Sequence, residues 1–215
     1  MLDSYLICIM RYDANKYESV RLTEVATIAP GYPFRGSIDS TPNGDVAVVQ
    51  MRNIDDGYRV EWGEVARTKL TGRRCPDWLQ QRDVLFSARG TRNIAAVVDG
   101  VPGHAVCSPL FFLVRVKAPD RLLPEFVAWQ INQEPLQRYL SASATGSNIT
   151  SIRRQVLEDL PIVVAPIARQ QAVVDFNEAA LQERRLLSNL IDNRNRQMQA
   201  LADAICGDIL GRLPQ

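Results

Sequence analysis

Gly146-Ser147-Asn148-Ile149-Thr150-Ser151-Ile152-Arg153-Arg154-Gln155-Val156-Leu157-Glu158-Asp159-Leu160-Pro161-Ile162-Val163-Val164-Ala165-Pro166 opens the last third of the chain, and the run of residues after Pro166 decides the fold. A polar turn leads into an amphipathic segment, Ile149 to Leu160, and then into a short apolar strand bracketed by prolines. From Ala168 to Cys206 there is neither Gly nor Pro. A helix of roughly 38 residues is about 57 Å long at ~1.5 Å rise per residue. The mean globular helix has only ~11–12 residues. Such a rod is too long for one wall of a compact core, which predicts a spacer or partner-binding helix over 167–206 and a tail over 207–215.

The predicted helix carries a partial seven-residue pattern. Val173, Ala180, Leu187 and Leu201 share one seam, with Phe176, Leu190 and Ala204 three residues further on. Ile191, Met198 and Ile205 widen the stripe, while Glu183, Arg194 and Gln197 interrupt it. A stripe of this kind wants a facing helix. It can fold back on its own domain or pair with another chain, and its length favours pairing.

Upstream, Leu22 to Ile28 has helical apolar spacing and ends at Pro30-Gly31, which predicts a short helix closed by a turn. Val46, Val48, Val49 and Met51 predict a strand over Asp45–Met51. Tyr58–Val60 and Glu64–Thr68 suit a hairpin. Further strands are expected at Asp83–Ser87, Ile94–Val98, Ala105–Cys107 and Leu110–Val116. Helical patterning resumes after Pro124 as a helix pair broken near Pro135. Strands grouped before helices argue for an α+β domain over 17–166, with the long helix as its extension. Residues 1–16 read as a tail or an extra edge strand.

Composition narrows the chemistry. The 215 residues are 46% hydrophobic with a formal charge of +1, so no global charge announces a polyanion partner. Cys8, Cys75, Cys107 and Cys206 form no C-x-x-C pair, and His104 is the lone histidine, which argues against a zinc site. Scattered cysteines suit a reducing compartment. No apolar run approaches the ~18 residues of a membrane span, so a soluble cytoplasmic protein without a membrane partner is expected. No phosphate-cradling glycine loop and no nucleophile elbow is present, so no catalytic residue and no metal or cofactor site is assigned.

Positive charge is nevertheless concentrated. Arg67, Lys69, Arg73, Arg74, Arg82, Arg89 and Arg92 stand against Asp77 and Asp83 alone, a local excess of five. Guanidinium groups suit bidentate contacts to phosphate and to the guanine edge. Arg89-Gly90-Thr91-Arg92-Asn93 adds a hydroxyl and an amide that suit phosphates and adenine edges. Arg52-Asn53 offers the same mix at a strand end, and Thr145, Ser147 and Asn148 offer hydroxyls and an amide. The candidate DNA-binding set is therefore Arg35, Arg52, Asn53, Lys69, Arg73, Arg74, Arg89, Thr91, Arg92, Asn93, Thr145, Ser147 and Asn148. A solvated, salt-bridged face is the alternative for the arginine run. Tyr32, Phe34, Trp62 and Trp78 read as packing groups.

Several of these stretches fall in the order of a known family. Val20-Arg21-Leu22-Thr23-Glu24-Val25-Ala26-Thr27-Ile28 with Gly31-Tyr32-Pro33-Phe34 looks like its domain start. Val48-Val49-Gln50-Met51-Arg52-Asn53-Ile54, Arg82-Asp83-Val84-Leu85-Phe86-Ser87-Ala88-Arg89-Gly90 and Leu123-Pro124-Glu125-Phe126 come next. Gly146, Ile152, Leu157-Glu158-Asp159-Leu160-Pro161-Ile162, Pro166 and Gln170 complete the order. The chain resembles one half of the specificity (S) subunit of type I restriction–modification systems. The resemblance implies a non-catalytic target-recognition domain that reads a few base pairs of double-stranded DNA, joined to a conserved spacer helix. It implies docking to a methyltransferase (modification) subunit and a restriction subunit, with S-adenosylmethionine, ATP and Mg needed only in those partners. Family members usually carry two domains and two helices packed antiparallel. A chain with one of each implies a homodimer or pairing with a separate half through Val173, Phe176, Ala180, Leu187, Leu190, Ile191, Met198, Leu201 and Ile205. The competing expectation is a protein-binding assembly or regulatory adaptor of a defence system, without direct DNA readout.

Overall fold

The structure, a computed structural model, describes residues 17–34, 36–38, 40–41, 43–70, 72, 75–90, 93–143 and 150–210. The expectation for residues 1–16 lies outside them. The chain divides into two compact units, 1–174 and 175–215.

The first unit is built on β5 (Val84–Ser87) and β9 (Phe111–Val116), both too apolar to leave either face in water. With β2 (Ala26–Pro30) and β7 (Ala95–Val97) they form an antiparallel sheet in the order β2-β9-β5-β7. Side chains alternate across a strand with period two. Val84, Phe86, Val114 and Val116 therefore face one core, which also holds Phe126, Val127 and Ile131 of α2 (Pro124–Asn132). Leu85, Phe111 and Leu113 face the other core.

That second core is closed by a three-stranded sheet, β4 (Ala66–Thr68), β3 (Val46–Val49) and β8 (Ala105–Cys107). Ala47, Val49, Ala105 and Cys107 point toward the first sheet. Val46, Val48 and Val106 point the other way, beneath Tyr32, Phe34, Leu70 and Trp78. Strands β3 and β4 are antiparallel, whereas β3 and β8 are parallel. Burying both faces of β3, β5, β7 and β8 explains why these four read as continuous apolar runs.

Helix side chains finish two sheet edges. Asn132 of α2 accepts from the Ala95 N–H and donates to the Ala95 carbonyl, both at 2.8 Å. Gln130 does the same to Val163 at 2.9 and 3.1 Å. Each amide stands in for a missing strand. Val163 lies in β11 (Pro161–Val164), which pairs antiparallel with β1 (Glu18–Arg21), so the first and last strands among the described residues of the unit meet.

Two expectations are corrected. Only Leu22–Val25 is helical (α1), and Ala26 to Pro30 is strand β2. One turn of helix cannot compete with five residues of pairing against β9, where Ile28 faces Val114. The hairpin expected between Tyr58–Val60 and Glu64–Thr68 does not form either. Ala66–Thr68 pairs with β3 and buries Ala66 beside Val48, while Val60 bridges Ile54. The helix pair is found as α2 and α3 (Glu134–Ser143), separated at Gln133. The amphipathic segment becomes β10 (Thr150–Ser151) and α4 (Arg154–Glu158).

The final helix, α5 (Ile167–Leu210), runs 44 residues, about 66 Å at ~1.5 Å per residue. Its first turns belong to the first unit. Val174 is buried and Val173 packs against the same core as α2. In the second unit Phe176, Leu187, Leu190, Ile191, Met198, Leu201 and Ile205 are 52–66% exposed. Ala180 is exposed as well.

Candidate nucleic-acid interface

Strand β3 ends in a single 3₁₀ turn, Met51–Asn53. The two residues of the Arg52-Asn53 pair divide the work. Asn53 turns inward and is buried; its Oδ1 accepts from the Gln50 N–H at 2.9 Å, and its Nδ2 donates to the Glu64 carbonyl at 3.3 Å. That fixes the turn and leaves Arg52 exposed. The same division recurs after β5. Arg89 is exposed on β6 (Arg89–Gly90), while buried Asn93 donates from Nδ2 to the Ser87 carbonyl at 2.9 Å. The Asn93 carbonyl in turn accepts from Gln137 Nε2 at 2.7 Å. Asn53 and Asn93 are thus both turned into the fold, where their amides support the segments that carry Arg52 and Arg89.

Three polar segments meet at the same end of the two sheets. The Ser108 N–H donates to the Val49 carbonyl, and the Ala88 N–H donates to the Leu110 carbonyl, each at 2.9 Å. The turn between Ser108 and Leu110 thus ties the carboxyl end of β3 to that of β5. Strand β6 then pairs with β10 (Arg89 opposite Ser151), and the Ile152 N–H donates to the Ala88 carbonyl at 2.9 Å. Arg52, Arg89 and Thr150–Ser151 are so brought together across a hundred residues of sequence. Neither arginine has an ion-pair partner among the described residues, so both positive charges remain uncompensated there. Gln50 Nε2 and Ser108 Oγ, at this end, are buried without a hydrogen-bond partner among the described residues. Sequence reasoning missed both; the signal was an amide and a hydroxyl at the two strand ends flanking Arg52.

The rest of the basic run goes elsewhere. Arg67 lies opposite Ala47 and Thr68 opposite Val46, so Arg67 and Lys69 sit by the start of β3, away from Arg52. Both are exposed. Arg82 is paired with a carboxylate instead. Its Nε and Nη2 donate to Glu125 at 2.8 and 2.7 Å, and its backbone is left-handed at φ 66°. Burial pushes the Glu125 carboxyl up, but the hydrogen bonds and charge of Arg82 outweigh it and hold the group below its ordinary range. One residue on, Asp83 is buried and accepts two hydrogen bonds from Arg115, both at 2.7 Å. That hydrogen bonding raises the Arg115 pKa against the opposing effect of its burial. These are clamps on the β5 entrance rather than binding groups. Arg35, Arg73, Arg74, Thr91, Arg92, Thr145, Ser147 and Asn148 lie outside the described residues.

Among the described residues no cluster of His, Cys, Asp or Glu suits a metal ion, and no helix is long and apolar enough to cross a membrane. His104 stacks on Trp78 with ring centroids 4.6 Å apart.

An α+β domain with polar segments gathered at one sheet end, leading into a long helix, defines the fold class, and solved structures share that fold. The chain matches a chain of a type I R-M system, studied for its complex assembly and conformational transition, with TM-score 0.66 at 15% identity. That match covers 95% of this chain and 49% of the other. The HsdS subunit from Thermoanaerobacter tengcongensis matches with TM-score 0.57 at 17% identity, over 82% of this chain and 40% of that one. The type I restriction-modification S subunit from M. genitalium matches with TM-score 0.55 at 16% identity, over 86% and 44%. The fold is that of type I specificity subunits, and this chain spans less than half the length of these three chains. No protein-family model and no curated protein sequence matches it.

Proposed function

We propose that this chain is a DNA-recognition subunit of a type I restriction–modification complex. On this reading residues 17–166 are the target-recognition domain, and the helix from 167 sets the distance between half-sites by pairing with a second helix. The observation that carries it is the shared fold over 95% of the chain, with the long helix included. The meeting of Gln50–Asn53, Ala88–Gly90 and Thr150–Ile152 supports it, because strand-end segments carrying arginine, amides and hydroxyls match the chemistry of phosphates and base edges. The chain itself performs no catalysis. Methyl transfer from S-adenosylmethionine belongs to a modification subunit, and ATP- and Mg-dependent cleavage to a restriction subunit.

The test is binding to a pool of random-sequence duplexes across a salt titration, with sequencing of the bound fraction. A reader of a half-site enriches a short motif and shows affinity that falls steeply with salt. Arg52→Ala and Arg89→Ala should each weaken binding and reduce the salt slope by about one. Lys69→Ala, at the other end of β3, should leave the slope unchanged. Binding without salt dependence or enrichment would reject DNA readout and leave the adaptor reading.

A further inference from the structure

The exposed face of α5 is self-complementary in one antiparallel register, and we infer that its occupant is the same face of a second copy. The inference rests on the reading of α5 as a pairing helix and names its partner. The seam residues alternate in steps of four and three: Phe176, Ala180, Glu183, Leu187, Leu190, Arg194, Gln197, Leu201 and Ala204. Three of them are polar, and each is a cost if it meets an apolar residue in a helix pair. In a parallel, in-register pair every seam residue meets itself, which sets Glu183 against Glu183 and Arg194 against Arg194. Like charges at two layers rule that arrangement out.

An antiparallel pair with its two-fold axis between Ser188 and Asn189 resolves all three. Leu187 then faces the partner's Leu190, forming the two central layers. Outward from them, Glu183 faces the partner's Arg194, Ala180 faces the partner's Gln197, and Phe176 faces the partner's Leu201. The two charged interruptions meet each other, and the long polar side chain meets the smallest seam residue. Apolar layers close the arrangement on both sides.

Moving one heptad in either direction destroys this match. One shift sets Arg194 against Phe176 and Glu183 against Leu187. The other sets Arg194 against Leu190 and Glu183 against Leu201. Both leave the charges without counterparts, so the polar residues specify register as well as orientation, a role single polar seam residues play in coiled coils. The face is free to pair. Phe176, Leu187, Leu190 and Leu201 are more than half exposed, and within the chain Arg194 only donates to Gln197 at 3.1 Å on its own helix. A two-fold interface of this kind is isologous, each contact occurring twice. In this register the two Val174 residues stand about 43 Å apart along the helix axis at ~1.5 Å per residue.

The test is charge exchange in the full chain under reducing conditions, read by sedimentation equilibrium. The wild type should run at twice the 24.1 kDa of one chain. Glu183→Arg alone places an arginine opposite the partner's Arg194 at both charged layers. Arg194→Glu alone places a glutamate opposite the partner's Glu183 at both. Each should raise the dimer Kd at least about 100-fold with helix content unchanged by circular dichroism. Mixing the two single variants yields a heterodimer with an arginine–glutamate pair at both charged layers, so it should associate as the wild type does although neither variant does so alone. The double variant restores an opposite-sign pair at both layers; it should dimerise with itself as the wild type does and should not exchange with wild type. A monomeric wild type, a single variant that dimerises as well as wild type, or a double variant that stays monomeric overturns the register. Failure of DNA readout leaves these masses untouched, so the two proposals fall separately.

Discussion

Replacing Gln170 with leucine tests what fixes the first turns of the long helix within the first unit. Gln170 lies on the first turns of α5 and is fully buried. Its Oε1 accepts from the Leu123 N–H at 2.8 Å, and its Nε2 donates to the carbonyls of Arg121 at 2.8 Å and Ala165 at 2.7 Å. One side chain thus fastens the segment before α2 and the end of β11 to the helix. Leucine has nearly the same volume and satisfies none of these groups. An orphaned buried N–H costs about 2 kcal/mol, and two carbonyls deprived of a donor add about 1 kcal/mol each. The extra apolar burial returns about 1–2 kcal/mol. The net expectation is a loss of about 2–3 kcal/mol, or about 5–10 °C in Tm for a unit of this size. Urea unfolding read by tryptophan fluorescence measures it, since all three tryptophans lie in the first unit. A loss below about 0.5 kcal/mol would refute the reasoning, because it would mean that the buried amide holds nothing together.

The same physics sets three further outcomes. Arg82→Ala should cost about 1–2 kcal/mol near neutral pH through loss of its charge-assisted bonds to Glu125. Because the folded Glu125 pKa lies below its ordinary 4.5, that stabilisation is present above pH 4.5 and is lost as pH falls through the folded value. Urea melts should therefore show the gap between wild type and variant closing in acid. Burial pushes the Cys107 thiol up to about 12, so iodoacetamide should label exposed Cys75 and Cys206 in the native protein and reach Cys107 only on unfolding. Peptide mapping by mass spectrometry reads the difference. Asn53→Ala should lower stability by about 1 kcal/mol, the usual loss for a capping side chain, and disturb DNA binding only through the Arg52 turn.

The sequence carried the elements better than their partners. Val84–Ser87, Ala105–Cys107 and Phe111–Val116 are legible because strands buried on both faces read as apolar runs. Ala26–Pro30 is not, since Leu22 to Ile28 fits helical spacing and only β9, far along the chain, turns it into a strand. The pairing of β4 with β3 instead of Tyr58–Val60 is equally non-local. The site shows the same limit. Each polar segment was legible singly, whereas their convergence depends on the Ser108–Leu110 turn and on β6 meeting β10 across a long stretch of chain. Asn53 and Asn93 looked like reading groups because an amide in a loop has one spelling whether it faces solvent or caps a turn. The charge excess between Arg67 and Arg92 likewise concealed that Arg82 is bound to Glu125 and that Arg67 lies at the opposite end of β3 from Arg52.

On the proposed reading as a paired DNA reader, the scattering of that charge gives the pairing a purpose. At the gathered end of the sheets the described residues offer two uncompensated arginines, a small electrostatic footprint when most affinity for DNA comes from phosphate neutralisation. One copy on its own should therefore hold DNA weakly. Joining two copies through α5 makes the second half-site contact intramolecular, at an effective concentration set by the geometry of the connection. A stiff helix pair raises that concentration only for sites at the matching separation and lowers it for all others, so stiffness converts weak halves into discrimination by spacing. The proposed register of Glu183 against Arg194 allows one stagger of the two helices. Slippage by one heptad would move one copy about 10 Å along the axis relative to the other, roughly three base pairs, and the two halves would no longer meet one fixed site.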